Sequence, residues 1–473
     1  MGGGNSGGGL TVLVMAGGEG TRMRSSMPKV LHPVCGRPMV AWPVLAAREA
    51  GADRVAVIVP PDRDLTPGLP EGTETVIQPE ADGTGGAIRA AHDIVRDSET
   101  VVVLSGDHPL LNGEIVEALL ETHRAADAAA TVMTVEADDP GAYGRIVRND
   151  AGELERIVET KDPTGVPTDI LAIREINTGT YAFAAEPLVE ALDGLTNDNS
   201  AGEYYIGDVL PAFRDRGLRV AAHRASDRNV NLGVNDRADL AAATAEARRQ
   251  ILDRHMRAGV TIIDPSSTWI DADVEIAADA TIEPGSTLRG ATSIGADSII
   301  GPHSTLIDSR VGEQVRVIHS YLDNAEVDNL ASVGPFAYLR PGARLGQRAK
   351  AGSFVEIKNA TIGEGAKVPH LAYVGDAEIG AGANMGAGSI TANYDGRRKN
   401  RTKIGEDARV SVNTSLVAPV SVGDRAYTGA GAVVREDVPD GALAVSTNDQ
   451  RNIEGYADRK AAEAEEDTGG TTT

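Results

Sequence analysis

The sequence predicts an α/β domain with a mainly parallel, Rossmann-like sheet, followed by a left-handed parallel β-helix. From Leu10 to about Asn235, short apolar runs alternate with helical patterns, which is typical of a parallel sheet covered by helices. From Ile276 onward, aliphatic residues recur every six positions, a period that matches neither a helix nor a strand. Only 3 % of the residues are aromatic, which suits a narrow, regular interior. At 473 residues, the chain is also too long for one ordinary core.

The first domain is predicted over residues 10–235, after a flexible glycine-rich segment at residues 1–9. Its buried strands are expected at Leu10–Ala16, Arg54–Val59 and Thr100–Ser105, because each is an apolar run that ends at a glycine-rich or polar loop. Ligands of open parallel sheets collect at the carboxyl ends of the strands. The loops after these strands are therefore the first place to look for a site.

A connecting helix is predicted over residues 236–258. Leu240, Ala243 and Ala247 lie on one side of it, and Ile251 follows in the next turn.

The β-helix is predicted over residues 259–457. One aliphatic residue per flat face points inward, and glycine and small residues fit the corners. The period breaks at residues 350–359, 369–374 and 391–403, which predicts loops on one side of the solenoid, where binding sites lie. The repeat positions are Ile276, Ile282, Leu288, Ile294, Ile300 and Leu306, then Val333, Leu339 and Leu345, then Ile379 and Met385, and finally Val410, Leu416, Val422 and Thr428. The charged, then Thr- and Gly-rich, tail at residues 458–473 is expected to be disordered.

Composition excludes several classes of protein. A formal charge of −24 argues against nonspecific nucleic-acid binding, although a few local cations can still hold an anionic substrate. No apolar run is long enough to span a membrane, and the first residues lack the features of a signal peptide, so a cytoplasmic protein is expected. The single cysteine, Cys35, forms neither an internal disulfide nor a zinc site by itself.

The loop after the first strand, Met15–Met23, is rich in glycine and is followed by Pro28 and Lys29. Backbone N–H groups in such a loop can surround a phosphate, but a glycine-rich turn alone is a weak signal. Arg22 and Lys29 add cations suited to a triphosphate, which strengthens it. The loop matches neither the Walker motif nor the dinucleotide fingerprint.

This loop resembles that of sugar-1-phosphate nucleotidyltransferases. Further motifs narrow the resemblance to the bacterial bifunctional uridyltransferase/acetyltransferase family, which makes UDP-N-acetylglucosamine, a precursor of peptidoglycan and other envelope polymers. The resemblance covers about Leu10 to Glu454. Its motifs in the first domain are Gln78, Gly83–Gly85, Ser105–Asp107, Tyr143–Arg145, Glu159, Asn177–Gly179 and Gly233–Asn235.

The resemblance implies a role for each motif. Asp107 and Asn235 match the family's two Mg²⁺ ligands, and oxygen ligands suit that ion. The residues alone favour a metal ligand over a solvated carboxylate for Asp107, whereas Asn235 would equally suit a turn. The residues implied to bind UTP or UDP-N-acetylglucosamine are Met15, Ala16, Gly17, Gly18, Lys29, Gln78, Gly83, Thr84, Ser105, Gly106, Asp107, Gly144, Glu159, Asn177 and Asn235. Because the attacking phosphate oxygen is already ionised, Arg22, Lys29 and Mg²⁺ would act by alignment and charge stabilisation.

In the β-helix, His370 lies in one of the breaks of the period. An acceptor amine is mostly ammonium at neutral pH, and a histidine is a natural base to deprotonate it. A lone loop histidine is more often an ordinary surface residue, but the resemblance makes His370 the catalytic base of acetyl transfer. The implied ligands of the sugar phosphate are Arg340, Lys358, Tyr373 and Asn384, and those of acetyl-CoA are Ala387, Asn393, Tyr394, Val412, Ala430 and Thr447. A zinc enzyme is disfavoured, since His303, His319 and His370 lack a paired spacing.

Three positions depart from the family pattern. Glu19 replaces a basic or neutral residue of the phosphate loop, Val412 a serine, and Thr447 an arginine found in some members. Family members are trimers with acetyl-CoA between subunits, so a homotrimer is implied. The rival hypotheses are a nucleotidyltransferase whose β-helix is only a spacer, and a non-catalytic sensor. The His370 set argues against the first, and the set of Arg22, Lys29, Asp107 and Asn235 against the second.

Overall fold

The computed structural model describes residues 9–160, 162–198, 202–447 and 450–469. Of the glycine-rich segment predicted at residues 1–9, residues 1–8 lie outside the described part. The chain forms two compact units, one of residues up to 276 together with 287–292, and one of residues 277–286 together with 293 onward. Within the described part, no helix is both long and apolar enough to cross a membrane.

The first unit is built on one mixed sheet with the strand order β11-β7-β10-β6-β1-β4-β5, and β8 joins β10 to β9. Its strands are β1 (Leu10–Met15), β2 (Pro33–Val34), β3 (Arg37–Pro38), β4 (Arg54–Val59), β5 (Glu74–Ile77), β6 (Thr100–Ser105), β7 (Ala130–Glu136), β8 (Arg145–Arg148), β9 (Leu154–Val158), β10 (Glu175–Ala184) and β11 (Val220–Arg224). Its helices are α1 (Ala41–Glu49), α2 (Thr84–Ala90), α3 (His92–Arg96), α4 (Gly113–Ala125), α5 (Thr168–Leu171), α6 (Ala185–Asp193), α7 (Val209–Asp215) and α8 (Arg237–Arg257).

Strand β1 lies in the middle of this sheet, parallel to both β4 and β6. Its residues Val12, Leu13 and Val14 are completely buried, because apolar clusters cover both faces of the sheet. This explains why β1 reads as a continuous apolar run rather than an alternating one. The three buried strands predicted from the sequence are β1, β4 and β6, so the expectation of a mainly parallel sheet covered by helices is confirmed.

Helix α8 follows this sheet in the chain. The carboxylate of Asp236 accepts hydrogen bonds from the backbone N–H groups of Ala238 and Asp239, which fixes its start. Its buried side chains include Ala243, Ala247 and Ile251, the face expected from the sequence. The first unit also contains β12 (Thr261–Ile262), β13 (Trp269–Ile270), β14 (Glu275–Ile276) and β16 (Thr287–Arg289).

The second unit consists of short parallel strands stacked into three sheets, as expected for a left-handed β-helix. The first sheet contains β15 (Thr281–Ile282), β18 (Ile299–Ile300), β21 (Arg316–Val317), β24 (Ser332–Val333), β27 (Lys350–Ser353), β30 (Lys367–His370), β33 (Asn384–Met385), β36 (Arg409–Val410), β39 (Tyr427–Thr428) and β41 (Leu443–Ala444). The second contains β19 (Thr305–Ile307), β22 (Tyr321–Asp323), β25 (Tyr338–Leu339), β28 (Glu356–Lys358), β31 (Tyr373–Gly375), β34 (Ile390–Ala392), β37 (Ser415–Val417) and β40 (Val433–Val434). The third contains β17 (Ser293–Ile294), β20 (Arg310–Val311), β23 (Glu326–Val327), β26 (Arg344–Leu345), β29 (Thr361–Ile362), β32 (Ala377–Ile379), β35 (Thr402–Ile404) and β38 (Val420–Val422).

The repeat positions fill the interior of this solenoid. Ile300, Leu306, Leu339 and Leu416, for example, are completely buried or nearly so. One side chain from each strand thus points inward, and the corners between strands turn through residues with positive φ. The period of six in the sequence is therefore the spacing from one face to the next.

The C-terminal tail differs from its expectation. Residues 456–469 form helix α9 (Tyr456–Gly469), where disorder was expected from residue 458. The physical reason is the local composition, since Ala, Glu and Lys have high intrinsic helix propensity even without a core to pack against. Residues 470–473 lie outside the described part.

Candidate functional site

The first unit contains a cavity of about 880 Å³ at the carboxyl ends of its central strands. Every residue predicted to bind the nucleotide or the metal lines it, with the exception of Gly106. The N–H of Gly106 instead donates to the carbonyl of Met15 at 2.8 Å, which ties the end of β6 to the end of β1. The lining residues that were predicted are Met15, Ala16, Gly17, Gly18, Arg22, Lys29, Gln78, Gly83, Thr84, Ser105, Asp107, Gly144, Glu159, Asn177 and Asn235.

Sheet register explains why these distant segments meet. Met15 of β1 is level with Ser105 of β6, so the glycine-rich loop and Asp107 leave the sheet side by side. Gln78 follows β5, and its side-chain amide donates to the carbonyl of Gly83 at 3.2 Å. Gly83 has a φ of 102° and faces the carbonyl of Tyr204 so closely that a Cβ would lie 2.5 Å from it. Only glycine fits there.

Two cations and two oxygen ligands form a cluster in the lining of the cavity. The Lys29 ammonium lies 2.6 Å from the Asp107 carboxylate, which also accepts a hydrogen bond from Ser105 at 2.7 Å. The Arg22 guanidinium donates to the side-chain oxygen of Asn235 at 3.0 Å. The N–H of Val234 donates to the carbonyl of Asp107 at 3.0 Å, which brings Asn235 next to Asp107.

The sequence did not single out His108, which also lines the cavity. It is 7 % exposed, and its Nε2 lies 3.8 Å from Asp107. Burial lowers the pKa of His108, and the neighbouring Asp107 carboxylate opposes that shift. Burial opposes ionisation of Asp107, but His108, Lys29 and Ser105 together hold its pKa below the ordinary value. Asp107 is therefore a carboxylate, as a metal ligand must be.

Within the described ranges, no group of three or more His, Cys, Asp or Glu side chains could hold a metal ion. That finding excludes a site made entirely of such side chains, but not a site completed by a substrate. Mg²⁺ typically uses one or two protein oxygens and takes its remaining ligands from phosphates and water. The Asp107 carboxylate and the Asn235 amide oxygen fit that requirement.

A second part of the lining consists of polar groups around Asn177. Asn177 lies on β10 at an irregularity in its pairing with β7, and its amide donates to the Tyr181 hydroxyl at 2.7 Å. The N–H of Asn177 donates to the carbonyl of Gly144, which has the Glu159 carboxylate beside it. Sequence reasoning missed several lining residues here that no motif marks, namely Tyr181 on β10 and Glu203, Tyr205, Ile206 and Gly207 in the segment before α7.

A second cluster lies on the second sheet of the β-helix. Arg340 and Lys358 are stacked on successive coils, because the carbonyl preceding Lys358 accepts the N–H of Arg340 at 2.8 Å. The Arg340 guanidinium pairs with Glu356 at 2.8 Å, and the Lys358 ammonium lies 3.8 Å from the buried Asp376. Two cations therefore stand one coil apart on one face.

His370 and Tyr373 lie on either side of one corner of the next coil. His370 ends β30, next to Ser353 of the coil before, and its side chain is exposed. Tyr373 begins β31 and is level with Glu356. Asn384 begins β33 on the following coil, level with the first residue of β30. The structure thus brings the predicted base and the predicted sugar-phosphate ligands onto neighbouring coils.

Asp376 and Lys399 belong to this cluster, although the sequence did not indicate them. Asp376 accepts hydrogen bonds from the side-chain amides of Asn359, at 2.7 Å, and of Asn393. The pKa of Lys399 is lowered, and the largest cause is Lys358. Lys399 lies in the segment 391–403, where the six-residue period is interrupted. This interruption was the sequence feature that could have pointed to it.

The residues predicted to bind acetyl-CoA lie farther along the solenoid. Asn393 is buried, whereas Tyr394 is 62 % exposed and its hydroxyl donates to the carbonyl of Gly396. Ala387 precedes Asn393 on the same coil, and its carbonyl accepts the N–H of Asn413. The other three lie on later coils, where the carbonyl of Val412 accepts the N–H of Gly431. Val412, Ala430 and Thr447 are exposed. The structure orders these residues along the β-helix but shows no contact that tests their roles.

Residues 12–206 match the family model of the MobA-like NTP transferase domain. Over nearly its whole length, the chain is also similar to curated relatives called bifunctional protein GlmU. It is 47 % identical over 452 residues to the relative from Brevibacillus brevis, covering 95 % of this chain and 97 % of that one. It is 47 % identical over 456 residues to that from Streptomyces avermitilis, covering 95 % and 94 %. It is 46 % identical over 480 residues to that from Paenarthrobacter aurescens, covering 98 % and 96 %. The chain belongs to the family of bifunctional GlmU proteins.

Proposed function

We propose that each unit carries out one of two consecutive reactions. The β-helix transfers the acetyl group of acetyl-CoA to the amine of glucosamine-1-phosphate. The first unit then transfers the uridylyl group of UTP to N-acetylglucosamine-1-phosphate, releasing pyrophosphate and forming UDP-N-acetylglucosamine. The observation that carries the proposal is that the two cation clusters lie in different units, one with Lys29 and one with Lys358. Both reactions are assigned to the cytoplasm.

In uridylyl transfer, an ionised oxygen of the sugar phosphate attacks the α-phosphorus of UTP, and the bond to the leaving pyrophosphate breaks. No protein base is required, so catalysis rests on alignment and on neutralisation of charge. Arg22 and Lys29 are the cations for the phosphates. Each is paired with an oxygen of Asn235 or Asp107, so binding of the triphosphate exchanges these partners for phosphate oxygens.

Mg²⁺ is the divalent ion that this oxygen pair suits best. Asp107 and Asn235 would hold it, and when bound it would neutralise charge on the phosphates of UTP. Gly17, Gln78 and Gly83 are assigned to the uracil and ribose, since they lie on the loops after β1 and β5. Gly144, Glu159 and Asn177, which also line the cavity, are assigned to the sugar. This arrangement would direct the sugar phosphate toward the α-phosphate.

In acetyl transfer, His370 takes a proton from the acceptor ammonium, and the resulting amine attacks the thioester carbonyl. The C–N bond forms and the C–S bond breaks, and the departing sulfur takes the second proton that the nitrogen loses, so that CoA leaves as the thiol. Arg340 and Lys358, with Lys399 beside Lys358, are assigned to the sugar phosphate. Tyr373 and Asn384 are assigned to the sugar hydroxyls. Acetyl-CoA is assigned to the surface formed by Ala387, Asn393, Tyr394, Val412, Ala430 and Thr447.

A homotrimer through the β-helix completes the proposal. A row of rings runs along one corner of the solenoid, where His303, His319, Phe336 and Phe354 follow one another with centroids 5.2–5.5 Å apart. Phe336 and Phe354 are 54 % and 59 % exposed, and Leu371 continues the row beside His370 at 63 %. Exposed aromatic and aliphatic rows of this kind suit burial against another copy. Such an interface would bring a second subunit next to His370.

The test follows free CoA and pyrophosphate separately, with glucosamine-1-phosphate, acetyl-CoA, UTP and Mg²⁺ supplied to wild type and to His370→Ala. The variant should release no CoA, yet make pyrophosphate at the wild-type rate when N-acetylglucosamine-1-phosphate is supplied. Lys350→Ala, an exposed residue of the same sheet, serves as control and should retain both activities. If wild type never releases CoA, the β-helix is a spacer and the assignment of His370 is wrong.

A further inference from the structure

One corner of the β-helix places a short polar residue in the left-handed conformation on coil after coil. Asp308, Asn324, Asn359 and Asp376 all have φ between 45° and 49° there. Asn and Asp are the non-glycine residues that tolerate this conformation best. The first three are exposed, but Asp376 is only 5 % exposed. The corner conformation alone therefore does not explain why Asp376 is buried.

Asp376 is buried because the chain returning from the break at residues 391–403 crosses over it. The N–H of Thr402 donates to the carbonyl of Asp376 at 3.2 Å. Asn393 at the other end of this segment places its amide against the Asp376 carboxylate. There is room for that amide only because residue 375 is glycine, where a Cβ would lie 2.8 Å from it.

The groups facing the Asp376 carboxylate are hydrogen-bond donors. The amide of Asn359 donates at 2.7 Å, the amide of Asn393 also donates, and the Lys358 ammonium lies 3.8 Å away. Burial disfavours the charge, but the two amides and then Lys358 and Lys399 hold the pKa of Asp376 below its usual value. A carboxylate can accept from all of these donors at once, whereas an amide has only one acceptor oxygen.

We propose that Asp376 is a positioning residue for acetyl transfer, whose single buried carboxylate fixes both Asn393 and Lys358. Asn393 is assigned to acetyl-CoA and Lys358 to the sugar phosphate, so the inference rests on the proposed function of the β-helix. Asp376 itself touches neither substrate. Its charge also offsets the repulsion between Lys358 and Lys399, so that both cations can face one phosphate.

The alternative is that Asp376 serves only the fold. Asparagine suits this corner conformation, as Asn324 and Asn359 show on other coils. Asp376→Asn therefore keeps the backbone turn and the shape of the side chain but removes its negative charge. It also replaces an acceptor oxygen by an NH₂ group that faces the donors around it. Asp308→Asn is the matched control, because it makes the same change at the same corner on an exposed residue four coils earlier.

The experiment measures kcat and KM of acetyl transfer for both substrates, together with uridylyl transfer. Asp376→Asn should raise the KM for acetyl-CoA by about tenfold, the effect of the charge-assisted hydrogen bond from Asn393. It should raise the KM for glucosamine-1-phosphate by about tenfold as well, because the ion pair with Lys358 is lost. Uridylyl transfer should stay at its wild-type rate and the variant should remain folded at the assay temperature, and Asp308→Asn should change none of these quantities. In the Asn393→Ala background, Asp376→Asn should add little to the KM for acetyl-CoA, because its action passes through Asn393.

Wild-type kinetics for Asp376→Asn would overturn the inference and leave the proposed function standing. Full additivity with Asn393→Ala in the KM for acetyl-CoA would also overturn it. A variant that loses both activities and its folded state would show a purely structural role. Absence of acetyl transfer in wild type would instead refute the proposed function itself.

Discussion

Replacing Lys29 by methionine tests whether the first cluster is an ion pair whose members depend on each other. The Lys29 and Asp107 side chains are only 10 % and 22 % exposed, and they lie 2.6 Å apart. Methionine keeps the length of the side chain but leaves the Asp107 carboxylate buried without its closest cation. Breaking a buried pair in this way costs about 3 kcal/mol, mostly because one charge stays uncompensated.

The carboxylate can limit this cost by taking up a proton. The destabilisation cannot exceed the free energy of protonating the carboxylate, whose unfolded-state pKa is about 3.9. At 1.36 kcal/mol per pH unit, this upper limit is about 5 kcal/mol at pH 7.5 but only about 1.5 kcal/mol at pH 5. The destabilisation of Lys29→Met relative to wild type should therefore shrink as the pH falls from 7.5 to 5. The direction follows because the pKa of Asp107 is lowered in the folded wild type. Its ionised form therefore stabilises the folded protein above the unfolded-state pKa.

Urea unfolding is followed by tryptophan fluorescence, because both tryptophans of the chain, Trp42 and Trp269, lie in the first unit. With an m value of about 3 kcal/mol/M, the midpoint of Lys29→Met should fall by about 1 M at pH 7.5. The double variant with Asp107→Asn should recover most of that loss, while uridylyl transfer stays at least about 100-fold reduced. Additive destabilisation in the double variant, or an unchanged midpoint in the single one, would refute the reasoning.

Three further outcomes are expected. Burial and then Arg254 lower the pKa of His255 to about 4, so its stabilising contribution is complete above pH ~6.5 and declines toward pH 4. Wild type should therefore lose about 1.3 kcal/mol more unfolding free energy than His255→Phe between pH 7.5 and 5.5, by urea titration. Arg340→Ala should raise the KM for glucosamine-1-phosphate at least about tenfold and leave uridylyl transfer unchanged, by steady-state kinetics. Phe354→Glu should give monomers in light scattering that keep uridylyl transfer and lose acetyl transfer, whereas active trimers would contradict the proposed interface.

Much of the fold follows from local pattern. The strands β1, β4 and β6 are predictable because each is an apolar run that ends at a polar loop. The β-helix is predictable because its period of six is a direct consequence of one inward side chain per face. Helix α9 was not expected, because disorder was predicted from the charged, Thr- and Gly-rich composition of the segment. The high helix propensity of its Ala and Glu residues was left out of that prediction.

The partners within the sites were harder to predict. Lys29 and Asp107 are 78 residues apart in sequence, and only the register of β1 with β6 brings their loops together. Asn359, Asp376 and Asn393 are each separated by 17 residues, which is about one coil of the solenoid. Residues separated by one whole coil lie above one another in the solenoid. Applying this longer period to the sequence, in addition to the period of six, would have predicted that these three residues are stacked.

The two clusters solve one physical problem in different ways. A pair of cations close enough to grip one phosphate repel each other, and a nearby carboxylate lowers that repulsion. In the first unit, Asp107 is itself assigned to the metal, so it must release Lys29 when the nucleotide binds. In the β-helix, Asp376 is held by Asn359 and Asn393 as well, and it remains beside Lys358 throughout. Loss of the carboxylate should therefore abolish the chemistry in the first case, and in the second only weaken substrate binding.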